Sequence, residues 1–219
     1  MILTQLQQLI GGIYDVSIAH DVYDFLVTDR KRLPASVRSR ASEEDLIVAQ
    51  PASGEEAGVS LYLDPDLLER LRCENPMVRL HEGNLADYWK ALEGVSHFLY
   101  LAWNAGHDRP VSILELEMQA EVDKYVVSYW LLRRQLPGRF PAELRRILFE
   151  RTRIDPRLAD GREDLYREAS RYAEKFCRRL ERSLRRSGAG TEGEVLTELR
   201  RFYRLTNARK LAHIERSTV

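Results

Sequence analysis

Four polar residues, Glu117, Glu121, Lys124 and Ser128, stand at i, i+4, i+7 and i+11 in a stretch that is otherwise largely apolar. At 3.6 residues per turn this spacing puts them on one side of a helix. Two carboxylates one turn apart on a largely buried helix can share a proton, act as acid and base, or hold a divalent cation. Glu117, Glu121 and Lys124 are therefore the candidate catalytic residues. The competing reading is an internally paired stripe, with Lys124 about one turn from Glu121. Carboxylate metal sites in helical bundles add a Glu-x-x-His to the facing glutamates, and no Glu-x-x-His occurs in this chain. His97 and Glu121 are the candidate metal ligands. An antiparallel hairpin turning near residue 108 would bring His97 level with Glu121. The helical wheel opposes that idea. His97 falls with Lys90, Glu93 and Asn104 on the polar side, away from Leu85, Tyr88, Leu92, Val95, Leu99 and Trp103. The expectation is an exposed histidine paired with Glu93, with no metal and no cofactor.

A second chemical feature is basic. Arg167, Arg171, Lys175, Arg178, Arg182 and Arg185 recur at spacings of three and four and form one stripe along a helix. The opposite face carries Leu165, Ala169, Tyr172, Ala173, Phe176, Leu180 and Leu184. Such a stripe suits a phosphate backbone or an acidic protein surface, the chain's own acidic half included. Three members have an acid one turn earlier, Glu163, Glu174 and Glu181. These pairs support the helix and blunt its field, so a solvated, self-paired face is the plainer reading.

The stripe belongs to a larger asymmetry. Residues 1–130 carry 11 Lys+Arg against 21 Asp+Glu, and residues 131–219 carry 23 against 13. A formal net charge of zero thus hides halves of −10 and +10. No Gly-rich phosphate loop, nucleophile elbow or His-Glu-x-x-His is present. His20-Asp21 lacks a second histidine motif at a usable place. Cys73 and Cys177 are far apart in sequence and outside any Cys-x-x-Cys pair, which excludes a thiolate zinc site and fits free thiols in a reducing compartment. The first ten residues have no basic lead or cleavage site and read as an amphipathic helix. The stretch 95–105 is the most membrane-like and is too short to span a bilayer. The expectation is a cytoplasmic protein with no membrane association.

The elements that must position these residues follow from periodicity. A helix is expected over 3–16. Period-two patterning predicts strands at 22–27, 46–49 and 59–63, with a hairpin loop over 51–58. Asp64-Pro65 then sets up a helix start. From residue 84 the pattern is helical. Asn84 is expected to cap a helix to Ala105, and Ser112 one running from 113 to about 135. Pro141 is expected to open another to about Arg153, closed by Asp155-Pro156. A long one should cover 162–186, and a last one should run from Thr191 to about Ile214 after the Ser187–Gly190 connection. The 113–135 helix has two apolar faces, one through Met118, Val122 and Tyr125 and one through Ala120, Val127 and Leu131. It should therefore be central. The fold class is α+β, predominantly α: residues 1–80 form a small acidic unit with an antiparallel sheet, and residues 81–219 form a helical bundle with basic C-terminal helices. The leading functional expectation is a non-catalytic interaction, adaptor or regulatory protein that works with a protein partner or as a homo-oligomer. Nucleic-acid binding through the basic stripe comes second. A carboxylate- or metal-dependent enzyme using Glu117 and Glu121 comes third.

Overall fold

Leu3, Leu6, Ile10 and Ile13 recur at helical spacing and are buried along one face of helix α1 (Ile2–Tyr14). The helix ends where Asp15 turns into the left-handed region at φ 55°. The computed structural model describes residues 1–38, 43–49, 58–151, 163–186 and 191–216. The expected hairpin loop over 51–57, the Asp155-Pro156 stop and the Ser187–Gly190 connection lie outside them.

The first strand is shorter than its pattern predicts. Asp21 accepts a hydrogen bond from the Tyr23 amide (2.9 Å) and one from Thr4 Oγ1 (3.0 Å), while Gln7 Oε1 accepts from the Val22 amide (2.8 Å). These side chains satisfy the first amides of a 3-10 turn, Val22–Phe25, as a helix cap would. Only Leu26–Val27 remain as strand β1. A second 3-10 turn, Arg30–Arg32, and the short helix α2 (Ala35–Arg38) follow. Strands β2 (Glu44–Ala49) and β3 (Gly58–Leu63) pair antiparallel, with Leu46 opposite Leu61. β1 joins the other side of β3 in parallel, so the sheet is mixed and not antiparallel throughout as expected, with the order β1-β3-β2.

Helix α3 (Pro65–Cys73) starts as its sequence predicts, with Asp64 accepting from the Asp66 amide (2.9 Å). Helix α4 (Glu82–Ala105) starts differently. His81 is its N-cap, and Asn84 reaches back to accept from the His81 amide (2.9 Å). The Asn84 amide group also donates to the carbonyls of Glu74 and Arg79, so the expected cap is instead the third residue of a capping box. Helix α5 (Ile113–Gln135) is capped by Ser112. The segment after Pro141 is not one α-helix. It is a short helix α6 (Leu144–Arg146) running into a π turn, Ile147–Arg151. Helix α7 (Glu163–Arg185) fits its expected span. The expected last helix is two, α8 (Thr191–Tyr203) and α9 (Asn207–Arg216). The break carries i→i+3 bonds from the Arg204 and Leu205 amides, a tightened end typical of a helix terminus.

The fold is predominantly helical with one small sheet. α5 packs on α4 and α7, and α1 packs on α4, α5 and α8. One contiguous cluster of buried apolar side chains runs from Leu3 through Tyr88, Met118, Tyr125 and Phe176 to Ile214. It takes residues from both sides of position 80. No helix among the described residues is long and apolar enough to cross a membrane.

Candidate metal centre

Where the sheet lies on α4, the helix presents Gly94. A Cβ built there would stand 2.7 Å from Leu61 Cδ1 and 3.0 Å from Glu44 Oε1. The missing side chain lets β2 and β3 approach the helix closely and lets Glu44 lean over it. The polar side of α4 is therefore covered, contrary to the wheel. His97 is 5% exposed, buried between the sheet and α5. The sequence places His97 correctly on a polar side, but β2 roofs that side.

The two ring nitrogens of His97 face carboxylates on different elements. Nδ1 lies 3.9 Å from Glu44 Oε1, and Nε2 lies 3.6 Å from Glu117 Oε2. Nε2 is buried and has no hydrogen-bond partner, since 3.6 Å is beyond hydrogen-bond length. A carboxylate oxygen of Glu93 closes the group: donor atoms of Glu93, His97 and Glu117 all lie within 4.8 Å of one another. One turn along the same helix pair, Lys124 Nζ lies 2.7 Å from Glu93 Oε2 and 2.7 Å from Glu121 Oε1. Ser128, the last member of the sequence stripe, donates to the Lys124 carbonyl and accepts from Trp89 Nε1 (3.0 Å). It closes the end of the centre and takes no part in it.

Four carboxylates, one imidazole and one ammonium thus share a space in which the imidazole and ammonium are buried and the carboxylates are partly buried. Burial works against each charge, and the neighbours decide what survives. Burial and the nearby Glu93 push the Glu44 carboxyl well above its ordinary range. Burial also raises Glu121, against the pull of Lys124. For Glu93, burial is outweighed by Lys124 and His97, and its pKa falls. For His97, burial is outweighed by Glu117 and Glu44, and its pKa rises to about 9. Lys124 stays charged for the same reason, held by Glu121 and Glu93. Among the described residues the carboxylates outnumber the cations here, and burial favours the protonated form of Glu44 and Glu121. A divalent cation satisfies the same excess without protons. Donors around one tetrahedral ion stand ~3.4 Å apart for bonds of about 2.1 Å, close to the 3.6 Å between His97 and Glu117.

Sequence reasoning names Glu117, Glu121, Lys124 and His97; the structure sets His97 against Glu117 instead of the expected Glu121, which holds Lys124 one turn away. It leaves out Glu44 and treats Glu93 only as a surface partner. A signal for Glu93 is present, because Glu93 and His97 are one turn apart just as Glu117 and Glu121 are. Glu44 carries none, since only the docking of β2 on α4 brings it in.

The basic stripe is elsewhere and is largely paired. Arg167 meets Glu163 (3.1 Å), Arg171 meets Glu168 (3.7 Å), and Lys175 meets Glu215 of α9 (2.8 Å). Arg178 meets Glu174 (2.6 Å) and Arg185 meets Glu181 (3.0 Å). Among the described residues Arg182 makes no such pair. Two surface depressions, one of about 470 Å3 beside Cys73 and His81 and one of about 320 Å3 beside Leu9 and Met77, share no residue with the carboxylate centre.

A second buried polar group lies on the other side of α5. Lys210 is fully buried, donates to Gln119 Oε1 (2.5 Å), and sits 4.5 Å and 4.8 Å from the ring centres of Tyr100 and Phe202. Asp123 accepts from Ser96 (2.6 Å), Gln119 (2.8 Å) and Tyr14. The hydrogen bonds and ring contacts of this group are all internal, which makes it a packing device.

No protein-family model, curated protein sequence or solved structure matches the chain.

Proposed function

We propose that the protein binds one divalent cation at Glu93, His97 and Glu117, with Glu44 as a further oxygen donor. We further propose that it works as a non-catalytic, metal-responsive regulator. The observation that carries the reading is His97 Nε2: a buried nitrogen without a hydrogen-bond partner, facing one carboxylate and within reach of another. One nitrogen among several carboxylates suits Mn2+ or Fe2+, with Zn2+ as competitor. Regulation is favoured over catalysis because the centre would clip strand β2 to the helical core through Glu44. Among the described residues no strand lies beyond β2, so that edge can add a strand from a protein partner or a second copy. Ion occupancy would set how firmly the edge is held. A reducing, cytoplasmic setting belongs to the proposal, since Cys73 and Cys177 are free thiols.

The test is calorimetry and elemental analysis on chelator-treated protein, titrated with Mn2+ and then Zn2+. One equivalent is expected. His97→Gln and Glu117→Gln should each weaken binding at least tenfold. Absence of binding at millimolar ion, or unchanged affinity in both variants, ends the reading.

A further inference from the structure

The helices α4 and α5 run antiparallel, so their polar residues meet in two rungs one turn apart. His97 faces Glu117 in the first. Glu93 and Glu121 face each other in the second, and the Lys124 ammonium bridges them at 2.7 Å on each side. Both rungs are built alike, with donors from facing helices, and the carboxylates of the second rung are partly exposed. Glu93 serves both, contributing a donor to the His97–Glu117 group and holding Lys124. The difference is what lies between the donors. In the first rung His97 Nε2 makes no hydrogen bond. In the second a side-chain cation already fills the gap, and its side chain is 9% exposed.

We infer that Lys124 holds the place of a second cation in this centre and limits it to one ion. The inference rests on the cation reading above and deepens it. The charges support it. Among the described residues, the three helix carboxylates Glu93, Glu117 and Glu121 are balanced by one divalent ion and one ammonium. Without the ammonium, Glu93 and Glu121 are left facing each other with no cation between them. Geometry supports it as well: an ammonium equidistant from two carboxylates occupies the position from which a metal would bind both. A fixed positive charge there also repels a second ion at short range, where a low dielectric makes the repulsion large. Lys124 comes from α5 itself, only three residues from Glu121, so the helix delivers the occupant with the site.

The experiment counts Mn2+ bound per chain in wild type, Lys124→Ala and Lys124→Arg, by elemental analysis and by electron paramagnetic resonance of the free ion. Lys124→Ala should bind one equivalent more than wild type, and Lys124→Arg should bind no more than wild type. Equal counts in wild type and Lys124→Ala overturn the inference, and so does an extra ion in Lys124→Arg. The reading of the first rung is judged separately, on wild type alone. If wild type binds none and Lys124→Ala binds one, the reading of the first rung and the limit of one ion both fall, and only the place of a cation at Lys124 stands. Removing one partner of a buried ion pair is costly, so Lys124→Ala is expected to need the ion to fold. Folding only with Mn2+ supports the inference. Lys124→Gln is measured alongside. If neither neutral variant folds in saturating Mn2+, the inference is overturned, because an ion in that position would restore the lost charge.

Discussion

At the scale of single residues, the chain puts ionisable groups where burial should forbid them and then compensates each one locally. Lys210 is the clearest case. Burial pulls its pKa down to about 7, although Glu115 and Asp123 pull the other way. Three aromatic rings and one amide oxygen replace its water. The sign of the pH effect follows from linkage. Between about pH 10 and 7 the unfolded chain takes up a proton on Lys210 that the folded chain refuses. Folding is therefore penalised increasingly as pH falls through that window, and the penalty levels off below about 7. Lys210→Met keeps the volume and removes the titration. The stability difference between wild type and Lys210→Met should shift in favour of wild type as pH rises from 7 to 10. Urea denaturation at several pH values measures it, and a constant difference would show that Lys210 does not titrate as its burial requires.

At the scale of elements, α5 is the organising piece. Met118 is fully buried and Tyr125 is 2% exposed, as two apolar faces on one helix predict. Met118→Ala should cost about 2–5 kcal/mol through the cavity it leaves, and Tyr125→Ala should cost at least as much. A thermal shift near zero for both would place α5 at the periphery. The contact between sheet and α4 has its own test. A Gly→Ala change inside a helix ordinarily gains about 1 kcal/mol. At Gly94 the added methyl would meet Leu61, which is fully buried, and Glu44. Gly94→Ala should instead destabilise by about 1–3 kcal/mol, the cost of overpacking, and should weaken cation binding by displacing Glu44. A gain in stability would mean that the sheet can lift off the helix without cost.

At the scale of the whole molecule, the sorted charge is partly structural. Arg204 of the basic half donates to the carbonyls of Tyr14 and Asp15 (3.0 and 2.8 Å), and Arg200 donates to that of Ile13 (3.3 Å). These are the free carbonyls at the end of α1, where cations are favoured. Within the basic half, Arg145 bridges Glu174 and Glu181 of α7. Arg204→Met should therefore destabilise the fold by about 1 kcal/mol. Changing Arg171, Lys175 and Arg182 together to Gln should leave the melting temperature nearly unchanged, since surface substitutions of this kind are close to neutral. The same triple variant separates the readings of the stripe. A salt-dependent affinity for DNA or RNA in wild type that falls and flattens in the variant would return weight to nucleic-acid binding. Equal, weak binding by both would mark the stripe as a solvated face.

The sequence by itself determined whatever depends on neighbours a turn or a strand apart. The bounds of α1, α5 and α7 and the start of α3 were legible because apolar spacing and capping residues act locally. The stripe from Glu117 to Ser128 and the centrality of α5 follow from the same wheel. Local pattern misled where a side chain from elsewhere took over. Thr4 and Gln7 on α1 turned a β-like run into a 3-10 turn, and the break after Tyr203 swings α9 round so that Lys210 reaches the rings of Tyr100 and Phe202. The candidate centre shows the division most plainly. The wheel knew that His97 and Glu93 share a polar side of α4, but solvent and a covering strand look identical to a wheel. Only the docking of β2 over Gly94, which joins residues some 50 positions apart in the chain, turned that polar side into a buried one. Burial then gave the charges on it their chemistry, because a carboxylate that water would have satisfied must find a proton, an ammonium or a metal ion.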